Sequence, residues 1–94
     1  MSGDAFTVVH LAGERRFALR QQGVEVGELT YDVRGGRAAL LHTEVHPALR
    51  GKGLAHRLVL ATVEWARAEG LKLTPVCWYT RVVLERTGEF ADVL

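Results

Sequence analysis

The chain has 94 residues, 48% of them apolar and 24% charged, with a formal net charge of +1. That length holds one domain with one core, residues 1–94, and the composition excludes disordered and fibrous classes. Acids and bases are interspersed, so nothing draws a polyanion or an anionic membrane, and neither nucleic acid nor membrane is expected as a partner.

Met1 to Phe6 shows no basic stretch followed by an apolar run, and no segment is long enough to span a bilayer, so the expected location is cytoplasmic. The first half then reads as a β-meander. Its runs lie near Phe6 to Leu11, Arg16 to Gln21, Val24 to Val33 and Arg37 to Val45, separated by Ala12-Gly13-Glu14, Gln22-Gly23 and Gly35-Gly36. Short glycine turns make neighbouring strands antiparallel. Apolar parity in the third run shifts from Val24 and Val26 to Leu29, Tyr31 and Val33, which predicts a bulge at Gly27.

From Lys52 to Glu69 the apolar residues Leu54, Leu58, Ala61, Trp65 and Ala68 recur at helical spacing, with Val59, Thr62 and Ala66 widening the stripe and Gly70 as the stop. Leu71 to Cys77 reads as a buried strand, and a short helix follows from about Tyr79 to Arg86. Strand, helix, strand from Arg37 to Cys77 is a βαβ crossover. The expected fold is therefore α/β (α+β), with a mixed, mostly antiparallel sheet and a short C-terminal helix.

The turn between the fourth run and the first helix carries the strongest signal. Gly51 and Gly53 lack Cβ atoms, so backbone N–H groups can converge on an anion, and the helix start adds free amide donors and the positive end of its dipole. A dinucleotide fingerprint needs glycine where His56 stands, and a P-loop needs Ser or Thr where Gly53 stands, so both of those readings fail. Arg50, Lys52, His56 and Arg57 surround the turn, a cluster suited to a small phosphorylated ligand because no aromatic platform is interleaved with it.

The segment Arg50-Gly51-Lys52-Gly53-Leu54-Ala55 resembles the R/Q-x-x-G-x-G/A signature of the GNAT superfamily of acyl-CoA N-acyltransferases. From His42 to Leu94 the chain is similar to the short GNAT-like proteins through His42-Thr43-Glu44-Val45, Leu49-Arg50-Gly51-Lys52-Gly53, Pro75-Val76-Cys77-Trp78-Tyr79 and Glu89-Phe90-Ala91-Asp92. The resemblance implies a compact GNAT-like fold that binds acetyl-CoA as co-substrate, with Arg50, Gly51, Lys52, Gly53, Leu54 and Ala55 around the pyrophosphate. It also implies that the strand before the loop splays from the next parallel strand, so that main-chain groups near Val45 face the pantetheine arm. The implied activity is acetyl transfer to an unidentified amine; a non-catalytic acyl-CoA-binding or sensing module is the alternative. The two helices that usually follow the first GNAT strand and wall the acceptor site have no counterpart here, which leaves room for a macromolecular acceptor.

Direct transfer needs a base for the amine and an acid for the departing thiolate. Glu44 is the candidate base, and His42 shares its face by alternation. Aligning Gly88-Glu89-Phe90 with the family's Gly-Phe element puts Val83 and Leu84 where its tyrosine acid is expected, so Tyr79 is the substitute candidate. Cys77 offers a covalent route, because a thiol near a helix start is biased toward thiolate, although a lone buried cysteine is more often inert. His42 or His46 beside it would complete an acyl-transfer pair. His42, Glu44 and His46 also alternate onto one face, but Pro47 follows at once and no further ligand is evident, so no metal is expected. His10 reads as an ordinary strand residue, and Trp65 and Trp78 as core or cleft packing rather than ligand stacking.

Overall fold

A computed structural model describes residues 5–94; Met1 to Asp4, part of the segment on which the cytoplasmic expectation rests, lie outside the described residues. The meander forms as the glycine turns dictate. Strands β1 (Phe6–Leu11), β2 (Arg16–Gln21), β3 (Val24–Arg34) and β4 (Arg37–Val45) pair antiparallel in sequence order. Helix α1 (Leu54–Glu69) then crosses over to β5 (Lys72–Pro75), which pairs parallel with β4, and α2 (Trp78–Glu85) follows. The result is the expected mixed five-stranded sheet. Among the described residues, no helix is long and apolar enough to cross a membrane.

Leu54, Leu58, Val59, Val63 and Ala66 of α1 are buried against Leu19, Leu29, Leu40 and Leu73 of the sheet. Leu58 and Val59 are fully removed from water, each contributing about 1.5–3 kcal/mol by burial. Thr62 is also buried, its hydroxyl donating to the Leu58 carbonyl at 2.9 Å. The buried line is rotated from the expected stripe. Ala68 is exposed and Ala61 half-buried, because Val63 occupies the core position instead. After α2, Phe90 and Val93 plug the core, and Arg67 forks onto Asp92 at 2.8 and 2.9 Å.

Element ends differ from the expected ones. Helix α1 begins at Leu54 rather than Lys52, because Gly53 caps it in the left-handed region at φ 72°. Strand β5 is shorter than Leu71 to Cys77, because both Val76 and Cys77 donate to the single carbonyl of Leu40, at 3.0 and 2.8 Å, and end the ladder.

Two irregularities set the register. Leu19 pairs with Gly27 but Arg20 with Glu25, so the extra residue in β3 is Val26, next to the expected Gly27. Gly27 is needed for a different reason. A Cβ there would lie 2.9 Å from the Glu44 carbonyl oxygen and 3.2 Å from Val45 Cγ2. The second irregularity has no trace in the glycine pattern: Thr30 pairs with His42 and Tyr31 with Leu40, which makes Leu41 the extra residue of β4.

Candidate active site

The inserted Leu41 decides which side chains face which way. Ala38 and Leu40 point into the core, and after the insertion so do Thr43 and Val45, opposite Leu29 and Gly27. His42 and Glu44 therefore turn to the outer face, where His42 Nε2 lies 3.1 Å from Glu44 Oε1. The expected sharing of one face by these two residues holds.

β4 and β5 separate beyond their last pair, Leu40 with Pro75. The His46 N–H donates to the Val26 carbonyl at 2.8 Å, so by alternation Glu44 uses its main-chain groups on β3, while those of Thr43 and Val45 face the gap left by β5. This fork opens into a cleft of about 770 Å³ that runs from His42, Glu44 and Val45 past Arg50, Gly51, Gly53, Leu54 and Ala55 to Cys77 and Tyr79. Every proposed site residue except Lys52, which is exposed, lines this one cleft.

The loop end of the cleft is built from backbone. Gly51 at φ 83° and Gly53 at φ 72° hold left-handed conformations that side chains disfavour, and no atom lies within 4 Å of where either Cβ would stand. The first helical bond runs from the Arg57 N–H to the Gly53 carbonyl at 3.3 Å, so the N–H groups of Leu54, Ala55 and His56 have no partner within the helix. Arg57 itself reaches away from the loop to the Phe6 carbonyl at 3.1 Å, and His56 lines a separate hollow of about 230 Å³ with Tyr79 and Arg86. The basic cluster is thus less concentrated than its spacing suggests.

At the other end Cys77 caps α2 and is half-buried. Burial pushes its thiol up, but the N–H groups of Thr80 and Tyr79, together with the Thr43 side chain and backbone, more than offset this and leave the thiol below its ordinary value. Its side-chain partner is Thr43, with Sγ 3.8 Å from Oγ1. The expected histidine pairing is not formed. His42 engages Glu44, and His46 Nδ1 accepts from the Ala48 N–H at 3.1 Å in the turn after β4. Burial raises the Tyr79 hydroxyl, partly opposed by Arg86, and keeps it protonated near neutrality.

Thr43 and Leu49 also line the cleft and were not named as site residues from sequence. Thr43 was legible in principle as the alternation partner of Glu44. Trp78 lies at the cleft, one of the two places expected for it, and is 75% exposed there. Trp65 does pack, in a cluster with His10, Phe17 and Tyr31. His10 is more than an ordinary strand residue: its ring stacks on Phe17 at 4.1 Å, and its Nε2 lies 2.6 Å from the Tyr31 hydroxyl. The strand face of His42, Glu44 and His46, on which no metal is expected, is also rearranged. His46 leaves it for the turn, and among the described residues the potential ligand group is Glu28, His42 and Glu44.

Comparison with known proteins gives a consistent picture. A family model described as GCN5-related N-acetyl-transferase matches residues 16–93. Protein NATD1 of Mus musculus is 37% identical over 79 residues, covering 82% of this chain and 72% of the relative. The solution structure of a candidate GCN5-like N-acetyltransferase from Staphylococcus aureus superposes with a TM-score of 0.75 at 28% identity, over 95% of this chain and 87% of that one. The fold is also shared with the PaiA N-acetyltransferase of Thermoplasma acidophilum in complex with coenzyme A, with a TM-score of 0.57 at 16% identity over 60% of this chain and 35% of that one.

Proposed function

The chain belongs to the GCN5-related N-acetyltransferase family, and on that premise we propose that it binds acetyl-CoA in the forked cleft and transfers the acetyl group to an amine. The observation that carries this reading is the continuity of one cleft from the amide-lined loop at Gly51 and Gly53, past the β4 edge at Thr43 and Val45, to Cys77 and Tyr79. The pyrophosphate is held at the helix start by backbone donors, with Arg50 adding charge. The pantetheine arm lies along β4 as an added strand, using groups that β5 has left unpaired.

This placement brings the thioester to the fork. The amine nitrogen bonds to the acetyl carbon, the carbon–sulfur bond breaks, and the sulfur leaves on coenzyme A. Glu44 takes the proton from the amine, and the protonated Tyr79 supplies one to the departing thiolate. His42 orients Glu44 through their hydrogen bond. Direct transfer is favoured over a relay through Cys77 because the thiol is partnered by Thr43, while His42 engages Glu44 and His46 engages the Ala48 N–H.

Calorimetric titration with acetyl-CoA, followed by free-thiol release across a panel of amines, tests the reading. Cys77→Ala is expected to keep much of the activity, and Glu44→Gln to lose it most at low pH, where the amine still holds its proton. An acetyl group found on Cys77 by intact mass without acceptor, and discharged by added amine, would replace direct transfer with the relay. A second reading, an acyl-CoA-binding module without turnover, is favoured by the buried Leu84 that stands where a catalytic tyrosine is expected. Binding without thiol release across the panel is its signature.

A further inference from the structure

The outer face beside Glu44 has a feature that acetyl-CoA binding does not use. Glu28 and Glu44 stand directly opposite each other on β3 and β4. Like charges in that position are unfavourable, so the pair is not there for strand stability. The two carboxylates, with Glu25 and His46, line a second concavity of about 300 Å³ that contains no lysine or arginine. Arg16 meets Glu25 at 2.6 Å and Glu28 at 3.3 Å, and it also binds Glu14, so a single guanidinium serves three carboxylates and Glu44 is left outside its reach. Glu44 borders both this hollow and the cleft, so the two adjoin at its side chain.

The opposite rim is apolar. Trp78, on the cleft, is 75% exposed. Leu41 and Val76, the residues immediately beyond the last β4 and β5 rung, are 46% and 53% exposed. Trp78 thus offers a large exposed apolar side chain on the cleft, with Leu41 and Val76 also exposed where the two strands part. No helix follows β1 to wall this side, because a three-residue turn, Ala12–Glu14, leads straight into β2.

We infer that this two-sided surface docks a basic polypeptide segment, with the accepting amine on a lysine whose cationic neighbours lie in the Glu25 and Glu28 hollow and whose apolar neighbours lie on Trp78. The inference rests on the acetyl-CoA reading of the cleft. Charge complementarity selects the cationic partner, and the apolar rim selects a polypeptide over a bare polyamine, which has no side chains to cover Trp78. Arg16 offsets only part of the charge of Glu14, Glu25 and Glu28, and an acidic acceptor would add to the excess of carboxylate that remains.

The test is titration of two peptides into the CoA-saturated protein and into the free protein, each with one central lysine and leucine residues, one flanked by arginines and the other by glutamates, with spermidine as a third titrant. The arginine-flanked peptide is expected to bind about tenfold more tightly than the glutamate-flanked one, with the preference falling as salt rises. Glu25→Gln with Glu28→Gln should weaken it about fivefold while leaving CoA affinity at the parent value. Trp78→Ala should weaken the peptide but not spermidine. Equal affinity for the two peptides, no effect of the paired glutamine variant, or spermidine binding as tightly as the basic peptide would overturn the inference. Self-association through the apolar rim, relieved by Trp78→Ala and unaffected by peptide, would overturn it as well. Loss of CoA binding in the parent is a separate result, and it removes the cleft assignment rather than the docking surface.

Discussion

Gly53 allows the loop assignment to be tested apart from stability. It caps α1 at φ 72°, lines the cleft, and has nothing within 4 Å of an added Cβ. A methyl group there therefore meets no protein atom, and its two consequences separate. The left-handed backbone costs an L-residue roughly 1–2 kcal/mol, which for a domain of this size lowers Tm by about 4–8 °C per kcal/mol. The methyl also projects from the floor of the cleft toward the anion that the helix start is proposed to hold. Losing one or two charge-assisted hydrogen bonds to that anion corresponds to about 1–3 kcal/mol, or roughly 5- to 150-fold in Kd. Gly70 is the internal control. It caps the other end of α1 at φ 69°, is equally open, and is not among the residues of the cleft. Gly53→Ala and Gly70→Ala should lower Tm by similar amounts in a thermal melt, while only Gly53→Ala weakens CoA in calorimetry. Parent-like CoA binding by Gly53→Ala, or an equal loss of affinity in both variants, would refute the cradle.

Thr43→Val removes the hydroxyl beside Cys77 and keeps the shape of the strand, so the thiol should titrate higher and alkylation by iodoacetamide near neutral pH should slow about two- to threefold, with an unchanged rate at high pH. An unaltered profile would assign the depressed thiol to the backbone donors of Thr80, Tyr79 and Thr43. Burial lowers His10, partly opposed by Glu69, so the unfolded chain takes up the proton first; stability is present above about pH 6.5 and is lost as pH falls from there through the lower folded value. His10→Phe should flatten the dependence of Tm on pH in that window, and a variant with the parent's slope would show that another group is responsible.

Much of the fold was legible because its signals are local. Gly35-Gly36 and Gln22-Gly23 fix tight antiparallel turns, and the residues between Leu54 and Gly70 repeat at a helical period that stands out from the meander. The loop was legible for the same reason, since Gly51 and Gly53 announce a backbone conformation that needs no tertiary contact. What stayed hidden depends on pairing. The extra residue Leu41 exists only relative to Tyr31 and Thr30 across the ladder, and its sole trace in the chain is an apolar doublet, Leu40-Leu41, that also fits a strand buried on both faces. The rotation of α1 toward Val63 was equally invisible, because Ala61 and Trp65 satisfy the period as well as Thr62 and Ala66 do, and the shape of the sheet decides between them.

The insertion at Leu41 also explains why site and core can share one short strand. Without it, simple alternation from Leu40 would send His42 and Glu44 under α1 and bring Thr43 and Val45 to the outer face. Burying an ionised glutamate without a partner is strongly unfavourable, whereas Thr43 and Val45 are accommodated there in the observed register. One inserted residue reverses the assignment for the rest of β4. The fork adds a second effect: the Leu40 carbonyl takes the two donors that follow β5, Val76 and Cys77, and the same Thr43 and Val45 whose side chains face inward present their main-chain groups to the open gap. Side chains for the core, main chain for the cleft and carboxylates for the outer face thus arise from consecutive residues, in a chain that has no spare helix to supply any of them.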